Sequence, residues 1–122
     1  MTRVLIVDDD RFSCESLSAL LSLEDFKLKM AFDGPTAIEI AKEFLPEVLI
    51  TDFMLKGELD GVQVAEILKQ CDPKLQTIVI TGHASAELLA QIEDDPSMRL
   101  VAKPTRPEEL IEAVREAAQR KE

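Results

Sequence analysis

Five short runs, Arg3–Val7, Phe26–Ala31, Val48–Thr51, Gln76–Ile80 and Arg99–Ala102, are rich in Val, Ile, Leu and other strand-forming residues and are bounded by polar residues, Gly or Pro. Runs of this length and composition read as β-strands. Between and after them, apolar residues recur at intervals of three and four: Leu17, Leu20 and Leu21; Ala37, Ile40, Ala41 and Phe44; Val64, Ala65 and Leu68; Leu88, Leu89 and Ile92; Leu110, Ile111, Val114 and Ala117. That spacing places an apolar stripe on one side of a helix. Pro35 suits the first turn of the second helix, after a cap at Asp33 or Gly34. Strict alternation of strand and helix implies right-handed crossovers and a parallel sheet covered on both faces, which is also why the strands read as continuous apolar runs. The predicted fold class is therefore α/β, doubly wound.

A chain of 122 residues suffices for one domain, predicted over 1–122, and buries about two-thirds of its unfolded surface at that size. There is no internal repeat, low-complexity tract or linker, and Gln119-Arg120-Lys121-Glu122 reads as a fraying helix end or a lead into a further domain. No apolar run approaches the roughly 20 residues that a membrane span needs. The start, Met1-Thr2-Arg3-Val4, carries no secretory signal, so the expected compartment is the cytoplasm. Cys14 and Cys71 fall on different helices and form no disulfide or zinc framework, so both are expected to be reduced structural thiols. A formal net charge of -10 disfavours direct contact with nucleic acid and points to proteins or cations as partners.

In an open parallel sheet, ligands bind beyond the carboxyl ends of the strands, so residues that follow each strand converge in space. Here those residues are Asp8-Asp9-Asp10, Asp52, Thr81-Gly82 and Lys103-Pro104. Asp10 precedes an apolar-periodic segment and is best explained as a helix N-cap. Asp8 and Asp9 resist that explanation, because adjacent carboxylates meeting a third at Asp52 repel unless a cation lies among them. Hard oxygen ligands suit Mg²⁺ or Ca²⁺. Alone, Thr81 would read as a turn residue and Lys103 as a solvated surface charge. Together with the acidic groups they supply what a phosphoryl group requires: a carboxylate nucleophile, a divalent ion, a hydroxyl donor and a cationic donor.

On these residues the chain resembles the response-regulator receiver family of two-component signalling, through Val4-Leu5-Ile6-Val7-Asp8-Asp9-Asp10, Val48-Leu49-Ile50-Thr51-Asp52, Ile78-Val79-Ile80-Thr81-Gly82 and Val101-Ala102-Lys103-Pro104. Asp60-Gly61, opening the third helix, joins the pattern, and the resemblance covers essentially the whole chain. It implies a flavodoxin-like (βα)5 fold with strand order 2-1-3-4-5. It also implies that Asp52 accepts phosphate from a histidine kinase or a histidine phosphotransfer protein, with Thr81 and Lys103 holding phosphoryl oxygens. Mg²⁺ would be bound by Asp9, Asp52 and the backbone carbonyl of Met54, with Asp8 acting mainly through water. The Lys103-Pro104 peptide would be cis. Such a domain is not an enzyme in the ordinary sense, since it catalyses only its own phosphorylation and dephosphorylation. The family's usual partner face, and a possible homodimer face, is the fourth helix, fifth strand and fifth helix, here with Leu88, Arg99, Arg106 and Glu109.

Two departures stand out. Leu100 replaces the aromatic residue that receivers usually place three positions before the lysine, and the loop after Asp52, Leu55-Lys56-Gly57-Glu58-Leu59-Asp60-Gly61, reads one residue long, with the extra Gly absorbing the change. Met54 and Lys56 border the predicted site and are candidates for setting the lifetime of the phosphorylated state. His83 reads as a solvated loop residue, and Phe12, Phe26, Phe32, Phe44 and Phe53 as core candidates. A haloacid-dehalogenase-like phosphatase would use Asp8-x-Asp10, Thr81 and Lys103, but it leaves Asp52 idle. A flavin or mononucleotide binder needs a Gly-rich turn where this chain has Asp8-Asp9-Asp10-Arg11. A pseudo-receiver that binds protein without phosphorylation has no need of the full acidic set.

Overall fold

The computed structural model describes residues 1–121. Strand and helix alternate from end to end: β1 (Thr2–Val7), α1 (Arg11–Leu21), β2 (Phe26–Ala31), α2 (Gly34–Phe44), β3 (Val48–Asp52), α3 (Gly61–Cys71), β4 (Gln76–Thr81), α4 (Ala86–Glu93), β5 (Met98–Ala102) and α5 (Pro107–Lys121). The helix starts follow from side-chain chemistry. Asp10, Asp33, Asp60 and Ser85 each accept a hydrogen bond from a backbone amide in the first turn that follows. At Asp60 the Gln63 side chain returns the bond, completing a capping box.

The strands form one parallel sheet in the order β2-β1-β3-β4-β5, the predicted flavodoxin-like arrangement. Alternate residues of each strand serve two separate cores. Val4, Ile6, Val48, Ile50, Ile78 and Ile80 pack with Cys14, Leu21, Leu110 and Val114 of α1 and α5. Leu5, Val7, Leu49 and Val79 pack on the other face with Ala37, Ala41, Val64, Leu68, Leu88 and Ile92 of α2, α3 and α4. The register pairs Val4 with Val48 and Leu5 with Leu49, so each layer continues across the sheet.

Continuous burial holds for β3, buried at every residue. It fails at β2, which alternates half-buried residues with exposed Lys27 and Lys29 because it is an edge strand. Pairing also extends further than the apolar runs, to Asp52↔Ile80 and Thr81↔Ala102, so Asp52 and Thr81 are the last residues of their strands.

Three sequence expectations change. Phe12 is not core: it is 77% exposed on α1. Cys14 is buried, its thiol pushed up to about 11 mainly by that burial and then by the Asp8 charge, whereas Cys71 is exposed at the end of α3 and supports no packing role. In α4, the Ser85 cap sets a phase in which Leu88 and Ile92 turn inward, leaving Leu89 41% exposed. Leu88 therefore belongs to the core and not to the α4–β5–α5 surface, where Arg106 and Glu109 are exposed and Arg99 pairs with Glu116. The helix reaches Lys121, so Gln119 and Arg120 are helical; Glu122 lies outside the described residues.

Candidate functional site

β1 and β3 are neighbours, so the residues at their carboxyl ends meet. A carboxylate oxygen from each of Asp8, Asp9 and Asp52 lies within 4.8 Å of the others. Asp8 and Asp52 are 5% and 9% exposed. Burial raises the Asp8 carboxyl above its ordinary 3.8; the bond from the Asp10 amide opposes this, and the Asp52 charge adds to the rise. That bond, Asp10 N to Asp8 Oδ1, is 2.9 Å long. Lys103, delivered by the end of β5, places its ammonium 3.1 Å from Asp52 Oδ1. Its peptide bond to Pro104 is cis, as the resemblance implied.

Asp10 stands apart from this cluster in its bonding. Its side chain accepts from Phe12 N at 3.1 Å and from the Ser13 hydroxyl at 2.9 Å, so it is an N-cap as the sequence suggested. The Asp8-x-Asp10 pair that a phosphatase would use is thus divided between two tasks. Thr81 is buried at the end of β4, and its hydroxyl is engaged within its own loop. It donates to the His83 carbonyl at 3.1 Å and accepts from the His83 amide at 3.2 Å. The His83 side chain is exposed. Met54 lies two residues past Asp52 with its side chain exposed. A thioether is a poor ligand for a hard cation, so this side chain adds no donor to the group.

Three supporting contacts were not foreseen. The Lys56 amide donates to Asp9 Oδ2 at 3.1 Å, tying the β3–α3 loop to the acidic cluster, while Gly57 takes φ +99° in that loop. That φ lies in the left-handed region, which glycine adopts at no steric cost. Behind Asp52, a Cβ on Gly61 would fall 2.3 Å from the Asp52 carbonyl oxygen, so α3 can start this close to β3 only with glycine there. The Thr51 hydroxyl donates to the same carbonyl at 2.9 Å.

Hard carboxylate oxygens, two of them from buried residues and one from the half-buried Asp9, faced by one ammonium, match the donor set of a divalent cation such as Mg²⁺. Among the described residues no helix is long and apolar enough to cross a membrane.

Residues 4–115 match the family model of the response regulator receiver domain. A stretch of 50 residues, 41% of this chain, is 38% identical to the response regulator PleD of Caulobacter vibrioides and 40% identical to the response regulator MprA of Mycobacterium ulcerans. The matched stretch covers 11% and 22% of those proteins, so it is a small part of each. The solved receiver domain of an HD domain-containing protein from Pseudomonas fluorescens superposes with a TM-score of 0.90 at 25% identity, covering 98% of this chain and 96% of that one. A two-component transcriptional regulator from Clostridium phytofermentans gives 0.81 at 28% identity, over 98% and 94% of the two chains. A CheY-like receiver from Methanospirillum hungatei, at 23% identity, shares the fold with a TM-score of 0.89 over 99% and 96%. With almost the whole sequence matched and the acidic cluster, lysine and strand order all in place, the chain belongs to the response regulator receiver family of two-component signalling.

Proposed function

We propose that the chain acts in the cytoplasm as one receiver domain over 1–122, accepting a phosphoryl group on Asp52 from the phosphohistidine of a histidine kinase or histidine phosphotransfer protein. The observation that carries this reading is the Lys103 ammonium 3.1 Å from Asp52 Oδ1, beside a cluster of three carboxylates. Mg²⁺ is proposed to bind at Asp8, Asp9, Asp52 and the Met54 carbonyl. Bound there, it supplies positive charge that offsets the repulsion between the carboxylates and an incoming phosphoryl group.

In the transfer, an Asp52 carboxylate oxygen forms the new bond to phosphorus as the bond from phosphorus to the imidazole nitrogen breaks. The electron pair of the broken bond stays on that nitrogen. Lys103, already paired with Asp52, is placed to hold a phosphoryl oxygen as charge shifts from carboxylate to phosphate. The amide of Lys56 and the burial of Asp8 keep the acidic groups in position. Thr81 is proposed to exchange its bonds to His83 for one to the phosphoryl group, drawing the β4–α4 loop inward and shifting the α4–β5–α5 surface.

The test uses the whole chain with Mg²⁺ and acetyl phosphate, read by intact mass. The expected result is a hydroxylamine-labile gain of one phosphate, absent in Asp52→Asn and absent when the metal is chelated. An adduct that persists in Asp52→Asn overturns the assignment.

A further inference from the structure

At the other end of the molecule, α2 ends in Leu45, whose φ of 52° is left-handed. That conformation is disfavoured for any side chain, and helices that end this way usually place Gly or Asn there. Two bonds hold it: the Leu45 amide donates to the Ala41 carbonyl at 2.9 Å, and Arg3 Nε donates to the Leu45 carbonyl at 2.7 Å. The result is a leucine 63% exposed, fixed in place by the fold.

Leu45 stands between two depressions. On one side is an apolar hollow of about 280 Å³ between α2 and α3, lined by Ile38, Ala41, Ile67, Leu68, Leu75 and the exposed thiol of Cys71. On the other is an open cleft against the β2 edge, where Arg3, Lys27 and Lys29 gather. Charge distinguishes this end from the rest of the surface. The chain as a whole has 14 basic and 24 acidic residues. Around the two depressions, Arg3, Lys27, Lys29 and Lys42 are balanced by Glu39, Glu43, Glu47 and Asp72. Two copies of an acidic chain approach with least repulsion where the local charge cancels.

We propose that this face joins two copies of the chain, each Leu45 entering the other's α2–α3 hollow. An interface around a two-fold axis uses the same patch on both partners, so it must be complementary to itself. A fixed apolar knob beside an apolar hole meets that requirement, and a rim carrying both signs of charge pairs with its own copy. This face is separate from the α4–β5–α5 surface, and it does not depend on phosphorylation.

Sedimentation velocity over a concentration series of the full chain is the measurement, with a short bismaleimide as thiol crosslinker. The wild type should form a reversible dimer that is crosslinked through Cys71; the crosslink should vanish in Cys71→Ser. Leu45→Asn, which suits the left-handed backbone, should fold at least as stably as the wild type in urea and still take up phosphate. Its self-association should be weaker by roughly 10²- to 10³-fold, the scale of losing two buried leucine contacts per dimer. A wild type that stays monomeric throughout the series overturns the proposal. So does a dimer of undiminished strength in Leu45→Asn, which would place the contact on another face.

Discussion

Two adjacent strand ends, β3 and β4, hold their reactive groups in opposite ways. Asp52 is fastened from several directions: its carboxylate by Lys103, its carbonyl by Thr51, and its backbone by the close approach of Gly61. Thr81, one strand away and also buried, has its carbonyl bonded by the Lys103 amide at 2.9 Å, but among the described residues its hydroxyl bonds to His83 alone, two residues along its own loop. The difference lies in the reactive groups: the Asp52 carboxylate is held by a side chain from another strand end, the Thr81 hydroxyl by its neighbour in sequence. The first arrangement suits chemistry, where a fixed geometry lowers the barrier. The second suits a movable part, because exchanging one local pair of bonds for another leaves the sheet intact.

The largest expected effect lies on the fastened side. Lys103→Met should slow phosphorylation by acetyl phosphate about 10²-fold, the scale for losing one preorganised charge-stabilising donor; equal rates would show that Asp52 does not depend on this neighbour. Asp8→Asn should be intermediate and of two signs. Removing a buried charge from a crowded cluster should raise the thermal midpoint in chelator, while the added stability that Mg²⁺ gives the wild type should disappear. A fall in the midpoint in chelator would mean that Asp8 serves the fold and not the ion. Thr81→Val should have the smallest effect on uptake, a few-fold at most, with stability lower by about 1 kcal/mol for the lost hydroxyl bonds. Its signature lies elsewhere: the amide shift changes that phosphorylation causes across α4, β5 and α5 should shrink. If Thr81→Val slowed uptake as much as Lys103→Met, the contrast between the two strand ends would collapse.

Much of this was legible in the sequence because strand ends in a parallel sheet are set by topology. Once Val4–Val7 and Val48–Thr51 are read as neighbouring strands, Asp8 and Asp52 must lie close, and β4 and β5 bring Thr81 and Lys103 to the same edge. The cap at Asp10, and one at Asp33 or Gly34, were legible for a similar reason, Asp10 and Asp33 each making a local contact within three residues. Contacts set by three-dimensional approach were not. The bond from the Lys56 amide to Asp9 joins residues 47 apart through a backbone atom that has no signature in the sequence. Nor does periodicity say which of Leu88 and Leu89 turns inward, because the phase of a two-turn helix is decided by where its cap falls. Phe12 failed as a core residue because it occupies the first turn of α1, ahead of the inward stripe of Cys14, Leu17 and Leu21.

The strand register has a consequence for how reliably the site is made. Val4 and Ile6 serve one core, Leu5 and Val7 the other, and the same pairing that aligns Val4 with Val48 sets Asp8 beside Asp52. A slip of one residue exchanges the faces of every side chain on the strand. Sliding β1 against β3 would therefore displace the acidic cluster and, in the same movement, turn residues shaped for one core into the other. The fold in this way couples its chemistry to its packing: a slip that spoils the site also spoils both cores and is disfavoured for that reason. The packing of the two cores and the placing of Asp8 beside Asp52 thus rest on one register.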